Sequence, residues 1–68
     1  MKVYWSDIIY MRDECREVRL FARKRDRDAH IAIELASYQF VEAKAHEWDS
    51  STDIDSEGAQ VYWHAPED

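Results

Sequence analysis

Near Arg25 the spacing of apolar residues changes from two to between three and four, and just past Phe40 it changes back. Successive side chains of a strand point to opposite faces, whereas those of a helix return to one face every 3.6 residues. A chain that switches in this way therefore needs strand, helix and strand in sequence, so an all-helical bundle and an all-strand barrel are both excluded.

The segment Val3 to Met11 is rich in β-branched and aromatic residues, with Val3, Tyr4, Trp5, Ile8, Ile9 and Tyr10, and reads as a strand. After the polar break Arg12-Asp13-Glu14, the residues Val18, Leu20 and Ala22 alternate with Glu17, Arg19, Phe21 and Arg23. That alternation predicts a second strand, hairpin-paired with the first. The connection has neither Asn-Gly nor Asp-Gly, so the sequence leaves its turn type open. From Arg25, the residues Ala29, Ala32, Ile33, Ala36 and Phe40 recur at spacings of three and four, and Ile31 and Leu35 widen the stripe. Arg27, His30, Glu34 and Ser37 follow one another on the opposite side of the same helix. Asp26 or Asp28 is suited to accept hydrogen bonds at its start, and the helix should end near Gln39 or Phe40. Val41, Ala43 and Ala45 then alternate with Glu42, Lys44 and His46, predicting a third strand to about Asp49. Ser50 to Gly58 reads as a polar loop, Gln60 to His64 as a short fourth strand, and Pro66-Glu67-Asp68 as a frayed end. The expected fold is a single α+β domain. Residues 1–49 form a β-β-α-β core of mostly antiparallel sheet, and residues 50–68 add the acidic loop and an edge strand. One helix laid across one face is expected to bury the Ala/Ile/Leu stripe.

Sixty-eight residues leave room for one thin core, because a chain of this size buries only roughly 60% of its unfolded surface. Walls for a deep catalytic cleft or an enclosed cofactor pocket are hard to supply, which favours binding over catalysis, with no catalytic residue, cofactor or metal ligand assigned. The single Cys15 cannot form an intramolecular disulfide, which points to an intracellular protein. No apolar run approaches the ~18–20 residues of a membrane span, and Met1-Lys2 leads into no signal-like segment. The expected location is the cytoplasm, with no membrane partner. The formal charge of −6 is unevenly spread: residues 29–68 carry Lys44 against nine acidic side chains. Such polarity speaks about partners and association rates.

Glu42, Glu47, Asp49, Asp53, Asp55 and Glu57 make up the most acidic stretch. Spaced negative charges can imitate a phosphate backbone in the basic groove of a nucleic-acid-binding protein, or can simply keep a small protein soluble. Asp53-Ile54-Asp55-Ser56-Glu57-Gly58 matches half of a calcium loop. The twelfth position holds His64 where a bidentate Glu is required, so metal binding is not assigned. His30, His46 and His64 are far apart and none pairs with Cys15 at a zinc-like spacing. His30, on the polar side of the helix, is expected in solvent. Arg23, Lys24, Arg25 and Arg27 form the cationic cluster, interrupted by Asp26 and Asp28, which argues against direct nucleic-acid binding. Of Trp5, Trp48 and Trp63, two are expected in core or dimer contacts and one as an interface anchor.

Glu17-Val18-Arg19-Leu20-Phe21-Ala22, the helical Ala32-Ile33-Glu34-Leu35-Ala36 and the exit Tyr38-Gln39-Phe40-Val41, with Lys2 ahead of Tyr4-Trp5, carry a family resemblance. Over about residues 2–50 the chain resembles the small bacterial RNA polymerase inhibitors of short-tailed coliphages, with a four-residue insertion around Lys24 to Asp28. The resemblance implies the same order of elements and a phage protein that blocks host transcription in the bacterial cytoplasm. It also implies an acidic helix surface, matched here by Glu34 and extended by Glu42 and Glu47. The family's pair of third-strand arginines is absent, and Asp49 and Ser51 stand there. Cations from the hairpin, among Arg12, Arg16, Arg19 and Arg23, are the substitute. The expected partner-binding residues are thus Glu34, Glu42, Glu47, Trp48, Asp49, Asp53, Asp55, Glu57, Arg19 and Arg23. The expected partner is a host protein complex: RNA polymerase, or alternatively a CRISPR or restriction complex with a basic nucleic-acid channel. A structural homodimer is the third reading.

Overall fold

The computed structural model describes residues 2–48, 54 and 56–65. Its elements are β1 (Val3–Tyr10), β2 (Cys15–Phe21), α1 (Lys24–Ser37), β3 (Val41–Trp48) and β4 (Gln60–His64). They form an α+β fold in which one four-stranded sheet, in the order β3-β1-β2-β4, carries one helix. β1 is antiparallel to both of its neighbours, and β4 is parallel to β2. The expected order of elements, including the edge strand, is present.

The hairpin between β1 and β2 turns through Met11 to Glu14, and Glu14 takes a left-handed φ of 50°. A turn position of this kind usually calls for Gly or Asn, and here a Glu fills it. Before β4, Gly58 at φ 74° closes a turn in which the Ala59 amide donates to the Ser56 carbonyl at 3.0 Å. The Met11 amide donates to the Phe40 carbonyl at 3.1 Å, which ties the hairpin to the entry of β3.

The helix starts at Lys24, earlier than Asp26 or Asp28 would place it, and its N-cap, Arg23, makes no side-chain capping bond. Asp26 lies in the first turn, while Asp28 pairs with Arg27 at 2.9 Å. The α1 helix lies over β3, β1 and β2. At its other end the Tyr38 amide donates to the Glu34 carbonyl at 3.1 Å and Tyr38 itself is extended, ending the helix after Ser37.

The helix is turned the opposite way from the expected one. Ala29, Ala32, Ile33, Leu35, Ala36 and Phe40 are exposed, and the side that meets the sheet is Arg27, His30, Ile31 and Glu34. Arg27 is only 5% exposed, whereas Ile33 is 62% exposed. The cause lies in the sheet. Strand alternation and the pairing registers put Tyr4, Ser6, Ile8 and Tyr10 of β1 on the helix side, beside Glu17, Arg19 and Phe21 of β2. Val3, Trp5 and Ile9 of β1, with Val18 and Leu20 of β2, point the other way. With its alanines and leucine inward, the helix would offer no partner to the Tyr10 hydroxyl or the His46 carbonyl, and a buried polar group that loses its hydrogen bond costs ~1–3 kcal/mol. Polar side inward, the helix sets Glu34 against Tyr10 and Arg27 against the His46 carbonyl, while Glu17 and Arg19 bond to each other and to Tyr10 and His64 of the sheet. What it leaves outside is mostly alanine, the cheapest apolar side chain to expose.

The core therefore has two parts. Ile8, Tyr10 and Phe21 are buried beneath the helix, and Val3, Trp5 and Val18 are buried on the opposite face. On that opposite face Arg16 makes paired bonds to Asp7 at 2.8 and 2.9 Å, and its Nη1 donates to the Glu57 carbonyl at 2.7 Å. These contacts hold the segment leading into β4 against the sheet. No helix among the described residues is long and apolar enough to cross a membrane.

Candidate functional site

Between helix and sheet the polar groups form a nearly closed circuit. The Tyr10 hydroxyl lies 3.0 Å from Glu34 Oε2 and 3.5 Å from Glu17 Oε2. Arg19 donates to Glu17 through Nη2 at 2.9 Å and Nε at 3.3 Å, and its Nη1 lies 2.9 Å from His64 Nε2. Because a guanidinium only donates, His64 accepts there through an unprotonated Nε2. The His30 ring sits 5.8 Å from that of His64, and both lean on Phe21 at 5.6 and 4.6 Å. His30 Nε2 is 3.9 Å from Glu34 Oε1, beyond hydrogen-bonding range, and has no other partner.

The electrostatics follow from this geometry. Burial, then the neighbouring Arg19 cation, lowers the pKa of both His30 and His64, so both stay neutral at pH 7. Burial, then the Glu34 hydrogen bond, raises that of the Tyr10 hydroxyl, which remains protonated and donates. Tyr10, Asp13, Cys15, Glu17, Arg19, Glu34 and Tyr38 line a cavity of about 180 Å³ beside the circuit. Arg19 and Tyr10 spend their donors on neighbours within the fold, so the arrangement acts chemically as an adhesive between the layers.

The sequence-predicted site residues scatter. Glu34 and Arg19 belong to the buried circuit and do not lie on an outer acidic or basic face. Glu42 and Glu47 are exposed on β3, at one edge of the sheet, with Glu47 3.5 Å from Lys2. Their side chains point to opposite faces, since they are an odd number of residues apart. Glu57 is in the turn before β4. Trp48 is half-buried on the face away from the helix, Trp5 is buried there, and Trp63 is 52% exposed. Arg23 lines an open cleft of about 380 Å³ at the helix start with Phe21, Arg25, Asp26, His64 and Ala65. Asp49, Asp53 and Asp55 lie outside the described residues, and with them most of the calcium-like segment. No group of His, Cys, Asp and Glu suited to a metal is formed among the described residues.

Two assignments change. His30 is not in solvent but under the helix, paired spatially with His64. Arg27 leaves the cationic cluster: it stacks on Tyr4 at 5.5 Å and donates to the His46 carbonyl at 2.8 Å. His46 itself stacks on Trp5, ring centres 4.2 Å apart.

What the sequence reading placed inside is on the surface. At 100° per residue, Ala29, Ala32 and Ala36 crown the helix, with Ile33 on the β4 side and Leu35, 50% exposed, on the β3 side. Tyr38, Phe40 and Met11 continue the exposed apolar surface at the end of the helix, where Arg12 covers Phe40 at 5.3 Å. The spacing of residues held no signal for this, because the bonds that fix the side, Tyr10 to Glu34 and Arg27 to the His46 carbonyl, join distant segments. No family model matches the chain, and no curated protein or solved structure matches it significantly.

Proposed function

We propose that this chain works by binding another protein through the outward side of α1, as a small inhibitor of the kind its sequence resembles, with bacterial RNA polymerase as the target. The observation that carries the reading is the orientation of the helix. Ala29, Ala32, Ile33, Leu35 and Ala36 lie on the surface although by composition they are the side of the helix better suited to burial. Contiguous exposed apolar surface on a small domain marks an interaction site. The flat alanine crown admits close approach of a partner, and Ile33 and Leu35 flank it as anchors. The net charge of the chain, −6, adds long-range attraction to a basic surface of the target.

In this reading the protein is a binder and not an enzyme, and the circuit of Tyr10, Glu17, Arg19, Glu34 and His64 serves to hold the helix in that orientation. The test is direct titration of purified bacterial RNA polymerase with the protein, alongside promoter-dependent transcription in vitro. Saturable binding with loss of transcription supports the proposal. Absence of binding at low salt, where charge attraction is strongest, overturns it.

A further inference from the structure

The two edges of the sheet are built differently. β3 exposes its outer edge with Glu42, Lys44 and Glu47 along it, and charged side chains of this kind keep an unpaired edge from pairing with another chain. β4, Gln60-Val61-Tyr62-Trp63-His64, has no Asp, Glu, Lys or Arg. Val61, Tyr62 and Trp63 are each 39% to 52% exposed. Among the described residues no strand pairs with the outer edge of β4, and the strand itself carries no charge.

We propose that β4 pairs antiparallel with β4 of a second copy of this chain, across a twofold axis at Tyr62. The register follows from the side chains. Directly opposite residues of an antiparallel pair share a face, so only registers that keep parity bring like faces together. Centring on Tyr62 pairs all five residues: Gln60 with His64 of the second copy, Val61 with Trp63, and Tyr62 with its own counterpart. Each Trp63 then lies over the partner's Val61, an aromatic and β-branched cross-strand pair formed twice. On that face Val61 neighbours Val18, and Trp63 neighbours Leu20 and through it Trp5. The apolar rows of the two sheets thus join into one. On the other face Tyr62 is held flat by Arg19, whose guanidinium sits 4.5 Å over its ring, and its hydroxyl donates to Gln60 Oε1.

The interface is small. The exposed parts of Trp63, Tyr62 and Val61 come to roughly 300 Å² per copy, scaled from ~150–250 Å² for a whole aromatic side chain. With the strand backbones added, two copies approach the ~1,000 Å² at which specific association is still weak and reversible. Two molecules at −6 also repel, while the strand between them is uncharged. Added salt should therefore tighten this dimer by screening the repulsion, the reverse of what a charge-driven contact with a basic target shows.

The experiment is sedimentation of the purified chain alone, so its outcome is independent of any polymerase. The expected result is a monomer–dimer equilibrium in the range of about 10–500 μM, stronger at high salt. Val61→Lys, on an exposed position, should weaken it at least about tenfold by placing a charge under Trp63. In a Cys15→Ser background, Tyr62→Cys should cross-link spontaneously, because opposed Cα atoms at ~4.5–5.5 Å fall in disulfide range, whereas Val61→Cys, offset by two residues, should not. Circular dichroism checks that each variant folds. A chain that stays monomeric throughout that range overturns the proposal, as does a dimer that Val61→Lys leaves intact or that Tyr62→Cys fails to lock. A monomer that instead captures an extended peptide along β4 also overturns self-pairing.

Discussion

Single polar groups contribute to the stability of this protein, because the layer between helix and sheet sets hydrogen-bonded polar side chains among Ile8, Tyr10 and Phe21. Tyr10→Phe removes the bond to Glu34 while leaving that carboxylate half-buried. A loss of about 1–2 kcal/mol in urea unfolding is expected. Ser6 gives the opposite sign. Its side chain is fully buried and its hydroxyl has no hydrogen-bond partner, so Ser6→Ala should raise stability by about 1 kcal/mol in the same assay. The two histidines set the pH response. Both have folded pKa values below the ordinary one, so the unfolded chain binds protons more readily. Their contribution is fully present above pH ~6.5 and declines as pH falls below it, as the unfolded histidines protonate first. Stability measured from about pH 7 to 5 should therefore fall, and His64→Gln, which keeps an acceptor for Arg19, should flatten that fall. A profile in which His64→Gln falls as steeply as the wild type would contradict the role given to His64.

At the scale of elements, local pattern determined what each segment is, and a relation between segments determined which way it faces. Alternation in Val18, Leu20 and Ala22 placed β2, and the three-and-four spacing from Ala29 to Ala36 placed α1, to within a few residues. Neither pattern says which side of a helix meets which side of a sheet. The decisive contacts are those of Glu34 with Tyr10 and of Arg27 with the His46 carbonyl, which are visible only once β1 and β3 lie side by side beneath the helix. The meeting of His30 and His64 is likewise a product of topology: β4 returns beside β2, at the far edge from β3. The orientation of α1 predicts contrasting mutants. Ile33→Asp, on the outward side, should change the unfolding free energy by less than about 0.5 kcal/mol. Ile8→Ala, at a fully buried position of β1, should cost about 2–5 kcal/mol. Had the apolar side faced inward, the first substitution would be the damaging one.

For the molecule as a whole, a chain of sixty-eight residues divides its apolar side chains among a core beneath the helix, a core on the opposite face, and a surface left outside. That surface has two regions of different character: the outward side of α1, proposed to meet the target, and the uncharged β4 edge, proposed to meet a second copy. The net charge of −6 tunes them in opposite directions with salt. The most direct measurement is the affinity of purified bacterial RNA polymerase for the wild-type chain and for Ile33→Asp, with thermal unfolding of both followed in parallel. The account predicts unchanged unfolding temperature and binding weakened at least about tenfold, as expected for an anchor residue worth more than about 1.4 kcal/mol. Equal affinity of the two chains, at equal stability, would contradict it.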